Sequence, residues 1–256
     1  LVRAPGQLDA VLEAAPKALL LSLGVVDGRN VWRADLDVLL ERLAPVAAGR
    51  DLVLAPSCSL LHVPVDLALE SRLDADVAEW LAFAVQKIEE LAVLKRALNE
   101  GRASVAGELE RASRANASRR SSSRVHDPEV AARTAAVTDA MYERRSVLGE
   151  RIAKQTAVLD LPAFPTTTIG SFPQTAEVRN ARARRNRGEL DGATYEAFLR
   201  EETQRTIRWQ EEVGLDMLVH GEFERNDMVQ YFGEQLEGFA FTVNGWVQSY
   251  GSRCVR

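Results

Sequence analysis

Three short blocks bring together residue types suited to ligand chemistry, each after an apolar or β-branched run. Ile169-Gly170-Ser171 joins a glycine, which lets backbone approach a ligand, to a hydroxyl and N–H groups that can bind a carboxylate; the same trio also makes an ordinary turn after a strand. His220-Gly221-Glu222 sets a carboxylate beside a glycine, and that carboxylate can accept hydrogen bonds from an ammonium group or pair with Arg225. His220 itself reads as a hydrogen-bonded structural residue. The third block, NGWVQSYGSRC at 244–254, turns at Asn244-Gly245 and ends in Arg253-Cys254. A guanidinium fork matches carboxylates, while a structural ion pair and a buried thiol would satisfy the same two residues. A further pair, Cys58 and His62, has ligand spacing, but Pro56 and Pro64 flank it and no third donor is near, so no metal is assigned to the chain.

These blocks need strands that end where they begin, since parallel α/β folds gather functional groups in the loops after strand carboxyl ends. ALLLSLG at 18–24 reads as a buried strand, DGRN at 27–30 as a turn, and 35–48 as a helix capped by Asp35 with Leu36, Leu39, Leu40 and Leu43 on one face. Gly49 ends that helix, and DLVLAP at 51–56 completes a parallel β–α–β unit. From Asp74 one long helix is expected to about Gly101, with Val77, Trp80, Leu81, Ala84, Ile88, Leu91 and Leu94 as its apolar stripe. RASRANASRRSSSRV at 111–125 is rich in arginine, lacks acids and has almost no large apolar side chains. It predicts a mobile loop, with an RNA-binding or phosphorylated arm as the sharper alternative. A second helix is expected over 128–158 on Val137, Met141, Leu148 and Ile152. Beyond it, a strand ending at Gly170, a charged helix at 194–212 closed by Gly214, and the apolar strand LDMLV at 215–219 form a second β–α–β unit.

Composition narrows the class. At 256 residues and 46% hydrophobic the chain can build one domain of ordinary core or parts of two. No apolar run reaches the length of a membrane span, and Leu1 opens with neither a basic segment nor a Met, so the chain reads as soluble and as truncated or processed at its start. Cys58 and Cys254 lie far apart, which suits a reducing, cytoplasmic compartment. A net charge of −5 argues against a nucleic-acid partner.

Four blocks in order, LGVVDGRNVWRADL at 23–36, APSCSLLHVPVDL at 55–67, TTTIGSFPQT at 166–175 and LDMLVHGEFERNDMVQYFGEQLEGFAFTVNGWVQSYGSRC at 215–254, resemble the cobalamin-independent methionine synthases. The resemblance implies an α/β fold made of parts of two (β/α)8 TIM-type barrels joined by a helical linker. It divides the chain into the end of an amino-terminal barrel at 1–103, a linker at 104–160, and the start of a catalytic barrel at 161–256. It implies methyl transfer from 5-methyltetrahydropteroyl-polyglutamate to homocysteine, giving methionine. Ile169, Gly170, Ser171 and Glu222 would contact the amino acid, and Arg253 and Cys254 the methyltetrahydrofolate. In that family one His, two Cys and a Glu hold a zinc ion that activates the homocysteine thiol; the resemblance places those ligands beyond Arg256, so no cofactor is expected on this chain and no catalytic residue is named. Two other readings stand beside it: another zinc-dependent thiol methyltransferase of the same fold, and a non-catalytic piece that binds a partner within a larger assembly.

Overall fold

A computed structural model of the chain describes residues 2, 4–248 and 254–255, the last two by their backbone alone. The architecture is mixed α/β, mostly helical with a small parallel sheet. The chain divides into two compact units, one of Leu1–Ala132 with Leu236–Arg256 and one of Arg133–Gln235. Among the described residues no helix is long and apolar enough to cross a membrane.

The first unit begins with helix α1 (Leu8–Ala14) and is built on strands β1 (Leu21–Val26) and β2 (Leu52–Pro56), paired in parallel from Leu21↔Leu52 to Val26↔Pro56. Helix α2 (Leu36–Ala47) connects them, as the sequence predicts. Asp35 caps it by accepting from the Val38 N–H, and Leu36, Leu40 and Leu43 are buried. They join Leu23, Val25 and Val26 in a core that helices α4 (Ala84–Glu100) and α5 (Ala106–Ser121) complete with Val93, Leu94, Ala97, Leu109 and Ala112.

Four expected elements differ. The helix expected from Asp74 breaks into α3 (Ala75–Trp80) and α4, because Leu81–Phe83 is extended and buried. There the Ala82 N–H donates to the Val31 carbonyl at 2.8 Å, and Trp32 bridges Leu81 in antiparallel fashion. The inward face of α4 is also shifted. Ile88 is exposed, whereas Lys87 and Glu90 keep only 1% and 5% of their surface.

The arginine-rich stretch is not a loop but most of α5. Its buried stripe, which continues from Leu109, is Ala112, Ala115 and Asn116, residues too small or too polar to register in a search for large apolar groups, although alanine has high helix propensity. Asn116 Nδ2 donates to the carbonyls of Ala34 and Ala112. The arginines meet acids from elsewhere in the unit: Arg111 pairs with Glu79 at 2.9 Å, Arg120 with Asp35 at 3.4 Å, and Arg124, just past the helix, with Asp74 at 2.7 Å. Arg119 stacks over Trp32 at 4.5 Å.

The helix expected over 128–158 is likewise broken. It forms α6 (Pro128–Ala135), a 3-10 turn at Asp139–Tyr142 and α7 (Leu148–Leu159), and the β-branched Val137, Thr138 and Val147 fall in the gaps. Val137, Met141, Leu148 and Ile152 are all exposed.

In the second unit, α8 (Ala176–Asn186) and α9 (Gly192–Glu212) pack together. Asp191 caps α9, and Gly214 closes it in a left-handed conformation (φ +77°), with the Gly214 N–H on the Glu211 carbonyl and the Leu215 N–H on that of Gln210. The strands expected on either side run parallel, but as a broken ladder. The Met217 N–H donates to the Thr166 carbonyl at 3.0 Å, the Phe172 N–H to the Gly221 carbonyl at 2.9 Å, and Ser171 bridges Gly221. LDMLV is therefore not the buried strand its composition suggests, and Met217 and Leu218 are exposed.

What holds this segment to α9 is Gln210, which is fully buried. Its Oε1 accepts from the Val219 N–H at 2.9 Å, and its Nε2 donates to the carbonyls of Val219 at 2.6 Å and Thr206 at 3.1 Å. Replacing it by leucine strands both backbone groups of Val219, so Gln210→Leu is expected to speed amide exchange over 215–221 by at least about tenfold. Unchanged exchange would show that the amide does not anchor the segment.

The buried charges of α4 generate a pH prediction. Glu90 Oε1 accepts from the Ala34 N–H at 2.8 Å, and burial raises the carboxyl pKa. Lys87 Nζ donates to the Trp32 carbonyl at 3.3 Å, and burial lowers its pKa. A carboxyl whose folded pKa lies above its unfolded value stabilises most at low pH, and that stability is lost as pH rises through the folded value. Glu90→Gln lacks this loss. Its stability relative to wild type, measured by denaturant titration, is expected to climb as pH rises from the ordinary glutamate range and then level off.

Candidate functional site

The parallel contact between Ser171 and Gly221 brings the first two predicted blocks face to face in the second unit. Gly170 (φ +111°) and Gly221 (φ +94°) both adopt backbone that side chains avoid. At Gly221 a Cβ would lie 2.6 Å from the Phe223 ring. At Gly170 it would lie 3.1 Å from Glu222 Oε1, so the glycine leaves the space that the carboxylate overhangs.

Glu222 is itself left-handed (φ +60°), an uncommon state for a side chain of this size, and several contacts hold it there. Its N–H donates to His220 Nδ1 at 3.0 Å, which fixes His220, when neutral, as the tautomer protonated on Nε2. Gln174 Nε2 donates to the carbonyls of Glu222 and Arg225, each at 3.3 Å. Arg182 in turn donates to Gln174 Oε1 and to the Phe223 carbonyl, both at 2.7 Å. The Glu222 carboxylate pairs through Oε1 with Arg225 Nη2 at 2.5 Å, and Arg225 Nη1 pairs with Glu224.

Two carboxylates thus share the Arg225 guanidinium beside the backbone of Gly170 and Gly221, and the Glu222 carboxylate stands over Gly170 as a charged acceptor. That arrangement suits a ligand carrying an ammonium group. The sequence leaves Glu222 between an ammonium ligand and Arg225, and the structure shows the pair with Arg225. His220 takes its expected structural part as an acceptor. Ser171 and Ile169 are exposed, Ile169 at 92%, and both flank the opening.

Gln174 and Arg182 escaped the sequence reading. Their only signal was a glutamine four residues past Gly170 and an arginine nearly two turns into a helix whose other arginines face solvent. Arg253 and the Cys254 side chain lie outside the described residues; the Cys254 backbone belongs to β4 (Cys254–Val255), which pairs antiparallel with β3 (Val247–Gln248). Cys58 Sγ lies 3.6 Å from the Ser59 carbonyl, and among the described residues no three His, Cys, Asp or Glu side chains are grouped to hold a metal.

Comparison with known proteins defines the class. Residues 1–50 match the family model "Cobalamin-independent synthase, N-terminal domain", and residues 164–256 match "Cobalamin-independent synthase, Catalytic domain". The chain belongs to the cobalamin-independent synthase family. Among its relatives are proteins named 5-methyltetrahydropteroyltriglutamate–homocysteine methyltransferase from Caulobacter vibrioides (66% identical), Nitrobacter winogradskyi (63%) and Xylella fastidiosa (58%), each matched over 100% of this chain. The chain spans about a third of the length of these relatives, 33%, 34% and 34% respectively.

The glycine beneath Glu222 makes a direct test of the geometry. Gly170→Ala forces both a disfavoured φ and a displacement of the Glu222 carboxylate, and is expected to destabilise this region by about 1–3 kcal/mol. Denaturant titration checks it, and wild-type stability would exclude close approach of Glu222 at Gly170.

Proposed function

We propose that this chain contributes the amino-acid shelf, and part of the folate-facing surface, of an enzyme that transfers a methyl group from 5-methyltetrahydropteroyltriglutamate to homocysteine. The observation that carries the reading is the Glu222 carboxylate held over Gly170 by the contacts of its neighbours. On this reading the ammonium group of homocysteine or methionine docks on Glu222 and takes over part of the role Arg225 plays without ligand. The carboxylate of the amino acid is received by the N–H groups and hydroxyl at Ile169–Ser171. Arg253 and Cys254 then lie against the folate.

In the same reading the fold is the end of one (β/α)8 barrel at 1–103, a linker at 104–160 and the opening of a second barrel at 161–256. The identity of the relatives over the whole chain supports this division, as do the two family segments in order. Activation of the thiol by zinc belongs to the full-length relatives' family. Cys58 and His62, the only such pair close in sequence, do not fit that role, because no further donor joins them among the described residues. No step is assigned to a metal on this chain.

The test uses the full-length protein. Glu222→Gln removes the charge but keeps the shape, and is expected to raise the homocysteine KM about 30-fold or more, while the folate KM stays within a few-fold. An unchanged homocysteine KM would overturn the assignment of the shelf.

A further inference from the structure

The segment that carries the third block is tied to the amino-terminal part of the first unit through a carboxylate that bonds two of its backbone groups. Glu70 Oε2 accepts from the Val243 N–H at 2.6 Å and Oε1 from the Asn244 N–H at 2.8 Å, while Asn244 Nδ2 donates to the Leu69 carbonyl at 2.9 Å. Both oxygens of one carboxylate are thereby spent on consecutive backbone donors, and the side chain of the second donor residue returns a bond to the neighbouring carbonyl. The residues joined are more than 170 positions apart.

Glu70 is held ready for this. It follows the 3-10 turn Leu67–Leu69, which Asp66 caps through the Ala68 N–H at 3.0 Å. Gln86, in the first turn of α4, grips the same turn from below. Its Nε2 donates to Asp66 Oδ1 at 2.8 Å, and its Oε1 accepts from the Leu67 N–H at 3.1 Å. A relay of hydrogen bonds therefore runs from α4 through Gln86 and the turn to Glu70 and on to residues 243–244. Farther along, β3 lies against the neighbouring turn Leu60–His62. The contact is thus two-point, one at the Asn244 turn and one at the strand that leads towards Arg253.

We propose that Glu70 is a positioning residue: a latch by which the amino-terminal part of the first unit fixes the turn at residues 243–244 and with it β3, the strand that precedes the proposed folate contacts in sequence. The chemistry is that of a charged acceptor paired with two backbone donors, stronger than a neutral contact and geometrically exacting because both oxygens are engaged. The functional part of this inference rests on the reading of Arg253 and Cys254 as folate contacts; the latch itself does not.

The experiment uses the full-length protein with Glu70→Ala, Glu70→Gln and Asn244→Ala, each checked for a wild-type melting profile. Amide exchange over residues 241–246 and the two KM values are measured. In Glu70→Ala, exchange at 243–244 is expected to rise about tenfold or more, with the folate KM raised, kcat within a few-fold and the homocysteine KM unchanged. Glu70→Gln, which keeps an acceptor oxygen, is expected to recover part of both effects, and Asn244→Ala to show a smaller change of the same kind. Unchanged exchange in a well-folded Glu70→Ala protein overturns the latch. Faster exchange with an unchanged folate KM supports the latch and overturns the folate assignment of the segment. Loss of native melting in Glu70→Ala alone moves the decision to Asn244→Ala, in which wild-type exchange overturns the proposal.

Discussion

The placement of Glu222 depends on the two backbone groups of half-buried Val219, both of which are met by the buried amide of Gln210. A buried N–H and C=O left unpaired would each be costly, and one side chain on α9 satisfies the pair in the manner of a neighbouring strand. That anchoring fixes where residues 215–219 end. It therefore fixes where Gly221 can bridge Ser171 and where Glu222 emerges over Gly170. The Gly214 cap supplies the reversal that brings the segment back along α9. The uncommon backbone of Glu222 is then tolerable, because Gln174, Arg182 and Arg225 bond to its surroundings on three sides.

The first unit meets a related demand with charge in place of amide. Lys87 and Glu90 are turned inward on α4, and each satisfies a backbone group of the 31–34 segment, the Trp32 carbonyl and the Ala34 N–H. That segment pairs with Leu81–Phe83 instead of a regular strand, so it exposes polar groups that hydrocarbon side chains could not meet. The arginines of α5 serve the same unit from outside, pairing with acids of other elements, so the basic stretch is spent on internal contacts and not on a free patch.

Where one face of an element is apolar and its caps are standard, the sequence foretold the structure closely: Asp35 capping α2, the parallel pairing of β1 with β2, Gly214 closing α9. It failed where polar residues do the packing. Lys87, Glu90 and Gln210 lie inside because irregular backbone needs them, and a search for apolar periodicity places Ile88 there instead. The stretch at 111–125 was misread for the complementary reason, since alanines and one asparagine make its buried stripe and the partners of its arginines are distant in sequence. In the site, the glycines and the carboxylate were legible by type and order. The scaffold of Gln174 and Arg182 was not, because nothing local marks which of many polar residues turns inward.

The central claim is that Glu222, poised over Gly170, receives the amino group of the substrate. A crystal structure of the full-length protein with methionine bound tests it most directly. The account predicts the methionine nitrogen within about 3 Å of a Glu222 carboxylate oxygen, with the methionine carboxylate at Ile169–Ser171. Methionine bound elsewhere, with Glu222 still engaged only by Arg225, would contradict it.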